Sequence, residues 1–89
     1  MNQPSLGEPT DSLPDDRLDL RGTPCPINFV RTKLRLQQMA PGSLLEVWLD
    51  GGEPIEQVPD SLVMEGYILE KVENRNDFFA IKVRCPLPS

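Results

Sequence analysis

Apolar and polar residues first alternate at Leu18 and Leu20, set between Arg17, Asp19 and Arg21, and this pattern predicts a short strand. Gly22-Thr23-Pro24 ends it. Cys25-Pro26 then opens a helix, with Pro26 at the first helical position, where a missing N–H loses no partner. Ile27, Val30 and Leu34 recur at i, i+3 and i+7 and form one apolar face of that helix. Phe29 and Leu36 form a second apolar strip, so the helix is expected to touch both a sheet and a neighbouring helix. Ala40-Pro41-Gly42 stops it. Leu44 to Asp50 reads as the second strand, with Leu45, Val47 and Leu49 inward and Glu46 and Trp48 on the other side. After the Gly51-Gly52 turn, Pro54 sits where a helix begins, and Ile55, Val58 and Leu62 keep helical spacing. Pro59 would clash with the carbonyl four residues back, which predicts a loose or kinked first turn and a regular helix from about Asp60. Gly66 is the expected C-terminal cap. Tyr67 to Glu73 and Phe78 to Arg84 read as strands joined by Asn74-Arg75-Asn76-Asp77, with Phe79, Ile81 and Val83 inward.

The order is βαβαββ. Two βα units followed by a hairpin predict a two-layer α/β (α+β) sandwich, a mixed four-stranded sheet with both helices on one face. A right-handed crossover makes the first two strands parallel neighbours. The folded domain is expected over residues 17–85. Residues 1–16, with Pro4, Pro9, Pro14 and the acids Glu8, Asp11, Asp15 and Asp16, are expected to be a disordered acidic tail, too poor in apolar surface to offset ordering entropy. Residues 86–89 form a short C-terminal tail.

Composition narrows the chemistry. With 89 residues the chain makes one domain. It has no histidine, which excludes Ser–His–Asp and Cys–His nucleophile arrangements within the chain. Its two cysteines cannot build a four-ligand zinc site, and no metal site is expected. Nine basic residues against fourteen acidic ones speak against strong nucleic-acid binding. Of the net charge of −5, all but −1 lies in residues 1–16. No apolar run approaches the roughly 20 residues that span a bilayer, and no leader pattern opens the chain. The expectation is a cytoplasmic protein without membrane contact.

The candidate reactive group is Cys25, flanked by Pro24 and Pro26 between a strand end and a helix start. A helix N-terminus offers unpaired N–H groups and partial positive charge, which favour a thiolate. The prolines stiffen the loop. Arg31, Lys33 and Arg35 on the helix, with Arg21 nearby, form the second feature. They are either solvated charges or a docking surface for an acidic partner beside the thiol. Cys85 lies at the chain end with no helix behind it, and the expected antiparallel last strand puts it at the opposite end of the sheet from Cys25. No bridge between the two is expected. The acids of the second helix, Glu53, Glu56, Asp60 and Glu65, have no nucleophile placed near them by the pattern alone. Gly51-Gly52 lacks the Lys-Ser/Thr signature of a phosphate loop.

The run Leu18-Asp19-Leu20-Arg21-Gly22-Thr23-Pro24-Cys25-Pro26 resembles the start of the TusA (SirA-like) family of sulfur carriers. That family has a Leu-Asp-x-x-Gly pattern followed by Cys-Pro-x-Pro. The resemblance continues through Val30-Arg31-Thr32-Lys33, Met39-Ala40-Pro41-Gly42, the strand ending at Asp50 and Val58-Pro59, covering roughly residues 17–84. It implies a two-layer α/β sandwich whose Cys25 carries a transient persulfide with no other cofactor. A cysteine desulfurase or rhodanese-like donor would load it and an acceptor protein would unload it, in pathways such as tRNA thiolation or cofactor sulfur supply. The chain departs from the motif at Asn28, which stands where the second proline is expected, and Tyr67 follows Gly66 where the family often has His. The asparagine restores an N–H donor and a flexible amide. A literal Cys-Pro-x-Pro occurs as Cys85-Pro86-Leu87-Pro88, read as a proline-rich ending of the last strand. The alternatives to a carrier are a thiol redox sensor using Cys25, with Cys85 as an intermolecular partner, and a non-catalytic regulatory module that keeps the fold.

Overall fold

The computed structural model describes residues 13–87. The elements are β1 (Asp16–Asp19), α1 (Ile27–Gln38), β2 (Leu44–Leu49), α2 (Glu53–Met64), β3 (Ile68–Asn74) and β4 (Phe79–Arg84). They form one sheet in the order β1-β2-β4-β3, with β1 parallel to β2 and the other neighbours antiparallel. The expected βαβαββ sandwich is what forms. The core joins Leu45, Val47 and Leu49 of β2 and Ile81 and Val83 of β4 to Leu36 of α1 and Val58 and Leu62 of α2. Strand side chains point alternately to the two faces, so both helices cover the same one.

The ordered domain starts earlier than Arg17. The Asp15 N–H donates to the Leu44 carbonyl at 2.8 Å, and the Asp15 carboxylate accepts the Leu44 N–H at 2.8 Å. Asp16 opens β1 opposite Leu45 and accepts from Arg35 at 2.7 Å. Composition assigned these acids to the tail. Strand pairing and an ion pair draw them into the fold. The expected disorder of the preceding segment falls on residues 1–12, outside the described residues, and 88–89 likewise.

The largest departure from the hydrophobic pattern is in α1. Ile27, Val30 and Leu34 face outward, with Leu34 53% exposed, while Asn28, Thr32 and Leu36 face the sheet, with Leu36 2% exposed. Two polar residues are tolerated on the buried face because most of their groups are bonded locally: Thr32 Oγ1 donates to the Asn28 carbonyl at 2.8 Å, and Asn28 Oδ1 accepts from the Phe29 N–H at 2.7 Å. The second apolar strip is the one that packs, Leu36 in the core and Phe29 against it.

Helix α2 also differs from expectation. It runs unbroken from Glu53 through Pro59, which is buried beside Val58 and Leu62. Burial of this face holds the helix together across the proline, a tertiary effect that local rules do not contain. Its end is as expected. Gly66, at φ +99°, follows the C-cap; its N–H reaches the Val63 carbonyl and the Tyr67 N–H reaches the Leu62 carbonyl, closing a Schellman motif.

On the helix-free face of the sheet, Glu46 is only 3% exposed. Trp48 Nε1 donates to its carboxylate at 2.6 Å, and Arg17 and Arg75 approach the same oxygen at 3.4 and 3.6 Å. Arg17 and Arg21 stack over the Trp48 ring at 5.3 and 4.9 Å, and Phe78 packs beside it at 5.0 Å. This cover of arginine and aromatic side chains explains how a carboxylate on an outward strand position becomes buried.

The titrating groups set a pH window for stability. Hydrogen bonds from Arg21 hold Asp19 down to about 2, against an ordinary 3.8. Glu70 and Glu73 are lowered in the same sense by Arg84 and Arg75. Such groups stabilise the fold above their unfolded values and lose that contribution as pH falls through the folded ones. Burial raises the Cys85 thiol above its ordinary 9.0, a contribution present below that value and lost as pH rises through the folded one. Urea midpoints are therefore expected to be flat from about pH 5 to 8, then to drop from about pH 4 towards 2 and again above about pH 9.

Candidate functional site

The β1–α1 loop is held at three points. The Thr23 N–H donates to the Leu20 carbonyl at 3.0 Å, closing a turn in which Gly22 takes φ +82°. The Gly22 N–H donates to the Asp50 carboxylate at 2.6 Å, tying this loop to the end of β2. The Asn28 N–H donates back to the Pro24 carbonyl at 3.1 Å, spanning the cysteine. Between these anchors lies Cys25, a free and partly exposed thiol.

Pro26 is the N-cap residue of α1 rather than its first helical residue, because its carbonyl already accepts from the Val30 N–H at 3.0 Å. The Phe29 N–H is taken by Asn28 Oδ1 at 2.7 Å. Three amides of the first turn, those of Asn28, Phe29 and Val30, are thus committed within the chain and are not free donors for the thiolate. Asn28 is not the flexible amide that its type suggested. It is fully buried, its backbone and Oδ1 are engaged, and Nδ2 is buried without a partner. Replacing Asn28 by proline removes two hydrogen bonds worth about 1 kcal/mol each, its N–H to Pro24 and the one its Oδ1 accepts from Phe29, but it also removes the unpaired amide and restricts the unfolded chain. Asn28→Pro is expected to change unfolding stability by less than about 1 kcal/mol. A loss above about 2 kcal/mol in urea titration would instead make Asn28 an anchor of the loop that proline cannot replace.

Two clefts flank the thiol. One, with about 380 Å³ of empty volume, is lined by Cys25, Pro26, Phe29, Glu53, Gln57, Val58 and Ser61. The other, about 680 Å³ and more open, is lined by Gly22, Thr23, Pro24, Cys25, Asp50, Gly51, Glu53 and Pro54. Pro26 lines the narrower cleft and Pro24 the wider one. Among the described residues, only Cys25 and Glu53 line both clefts.

The four basic residues singled out in the sequence do not line either cleft. Arg21 forks onto Asp19 at 2.9 and 2.8 Å and lies over Trp48 and Phe78. Lys33 pairs with Glu65 at 3.0 Å and Arg35 with Asp16 at 2.7 Å. Arg31 is on the outward side of α1, lining a shallow depression with Leu18, Leu34, Arg35 and Gln38. The charged side chains at the thiol's clefts are acidic, Asp50 and Glu53. The sequence pattern places Glu53 among the second-helix acids with no nucleophile near it and Asp50 only at a strand end, because both are far from Cys25 along the chain. The signal that finds them is topological: parallel β1 and β2 end on the same side, so the two βα loops meet there.

Cys85 is 4% exposed, and its Sγ lies 3.5 Å from the Leu36 carbonyl. Both cysteines are free, as expected for opposite ends of the sheet. Burial leaves Cys85 ill-suited to serve as an intermolecular redox partner. Among the described residues there is no cluster of three or more potential metal ligands and no helix long and apolar enough to cross a membrane.

A mixed sheet under two helices, with an accessible thiol between prolines at the head of the first helix, defines a small cysteine-bearing α+β domain. Comparison with known proteins gives the class its name. The family model described as Sulfurtransferase TusA matches residues 16–88, and the chain belongs to this family. A "putative sulfur carrier protein" of Thermotoga maritima is 41% identical over 56 residues, which are 63% of this chain and 71% of that protein. The "putative sulfur carrier protein YedF" of Escherichia coli K12 is 34% identical over 61 residues, 68% of this chain and 79% of that one. Among solved structures, a SirA-like protein from Desulfitobacterium hafniense superposes with a TM-score of 0.69 at 22% identity, over 80% of this chain and 97% of that one. This last likeness supports the fold.

Proposed function

We propose that this protein carries sulfur as a persulfide on Cys25. The supporting observation is the contrast between its two thiols: Cys25 opens onto two clefts, whereas Cys85 is buried against a helix carbonyl. Cys25 thiolate attacks the outer sulfur of a donor persulfide. A new S–S bond forms at Cys25, the donor's S–S bond breaks, and the donor cysteine leaves as thiolate and takes up a proton. In the second step an acceptor thiolate attacks the outer sulfur of the Cys25 persulfide, and Cys25 is the leaving thiolate. No net oxidation accompanies either step.

The protein positions a thiol and leaves the energetics of sulfur release to its partners. A desulfurase or rhodanese-like protein is the donor class that this chemistry requires, and a sulfur-accepting protein the other partner. Transfer serves destinations such as tRNA thiolation or cofactor sulfur supply, in the cytoplasm, with no bound cofactor. Incubation with a cysteine desulfurase and cysteine should add about 32 Da to the peptide containing Cys25 and none to the peptide containing Cys85. Absence of that adduct under conditions in which the desulfurase itself is persulfidated would reject the carrier role.

A further inference from the structure

Sulfur exchange at Cys25 brings a second sulfur, with whatever surrounds it, into the two clefts beside the thiol. The side chains there do not match the basic surface that the sequence suggested. Glu53, at the first position of α2, lines both clefts, is exposed, and has no ion pair among the described residues. Asp50 lines the wider cleft, but its carboxylate is occupied by the Gly22 N–H, and Arg21 lies within its field. Of the α1 cations, Lys33 is spent on Glu65 and Arg35 on Asp16, and Arg31 lines the depression with Leu34 and Gln38 rather than either cleft. Glu53 is thus the unpaired charge at the point of exchange. The narrower cleft adds an apolar floor from Phe29, Val58 and Pro26, with Gln57 and Ser61 along its α2 side.

From this arrangement we infer that Glu53 is a specificity-determining residue for exchange at Cys25, selecting protein partners whose reactive cysteine has a lysine or arginine on one side and an apolar side chain on the other. The inference deepens the carrier reading and rests on it for the identity of the partners. The cation meets the Glu53 carboxylate, and the apolar group enters the cleft over Phe29 and Val58. An acidic residue beside the partner's cysteine would face Glu53 and be repelled. Charge complementarity at a partly exposed site acts mainly on encounter and orientation, so the preference should weaken with salt.

The test uses thiol–disulfide exchange, which does not require persulfide chemistry. The probes are the blocked peptides Lys-Cys-Leu, Gln-Cys-Leu and Glu-Cys-Leu, each as a mixed disulfide with thionitrobenzoate. Attack by Cys25 forms its disulfide with the peptide cysteine, breaks the peptide–thionitrobenzoate bond, and releases the coloured thiolate with its electron pair. Rates are divided by those of a blocked Thr-Pro-Cys-Pro-Ile peptide, which removes differences in intrinsic reactivity. The lysine probe should react about tenfold faster than the glutamate probe at low salt, and the ratio should approach one at high salt. Glu53→Gln should shrink the ratio by about three- to fivefold, and because the ratio compares two probes on the same protein, a merely structural loss would not move it. A ratio near one in the native protein, or an unchanged ratio in Glu53→Gln, overturns the inference. If the ratio behaves as expected but Cys25 never acquires sulfane sulfur, the carrier reading falls while the selectivity stands. The reverse pattern rejects the selectivity alone.

Discussion

Cys25→Ser is expected to lower sulfur loading by at least about 100-fold, to the background of the assay, with the fold intact. A serine hydroxyl is not ionised near neutral pH and cannot form the S–S bond on which carriage depends. The substitution is close to isosteric and lies at a partly exposed position, so thermal stability should change little. Cys85→Ala should do the opposite. Its thiol is buried in the core cluster beside Leu36, so loading persists, while unfolding stability drops by about 1–2 kcal/mol through lost packing. Native alkylation should accordingly label Cys25 rapidly and Cys85 only after unfolding. Mass spectrometry of persulfidated peptides, with urea titration of both variants, reads all of these outcomes. Loading retained in Cys25→Ser and lost in Cys85→Ala would reverse the assignment.

The second large effect concerns stability and compares two leucines of α1. Leu36→Ala is expected to destabilise the protein by about 2.5–4 kcal/mol, while Leu34→Ala costs less than about 0.5 kcal/mol. Leu36 is 2% exposed and sits in the core among the strand residues. Its truncation loses transfer free energy and leaves a cavity that the surrounding sheet fills only in part. Leu34, 53% exposed, loses little on truncation. For a domain of this size, whose whole stability is on the order of 5–8 kcal/mol, Leu36→Ala should leave a measurable unfolded fraction at physiological temperature. Equal losses at the two positions would mean that the outward strip is covered in solution.

That pair of residues also marks where the sequence misleads. The spacing of Ile27, Val30 and Leu34 is a regular helical stripe, and taken alone it names the wrong face. The fold could turn α1 because Leu36 and Phe29 offer another apolar side, and because Asn28 and Thr32 can be buried with most of their polar groups bonded locally. Pro59 is a second instance, a helix breaker by local rules that packing retains inside α2. Glu46 is a third: alternation places it outward, and the Arg17, Arg75 and Trp48 side chains bury it there.

The site divides in the same way. Cys25, its two prolines and the helix start behind it are contiguous, and local chemistry singles them out without any contact information. The residues that give the thiol its surroundings are not contiguous. Asp50 and Glu53 reach it because two parallel strands end together, while Lys33 and Arg35 of α1 are paired away from it, with Glu65 at the end of α2 and Asp16 of β1.

The sequence by itself determined the order of elements, the inward residues of β2 and β4, the turn and cap glycines and the separation of the two cysteines, and it singled out Cys25 as the candidate. Each of these depends on a period of two or a fixed local geometry. Tertiary structure alone decided which face of α1 is buried, that Asp15 and Asp16 belong to the fold, and that the charge beside the thiol is negative. Those outcomes depend on which distant surfaces meet, and the pairing of β1 with β2 is the contact that sets the last two.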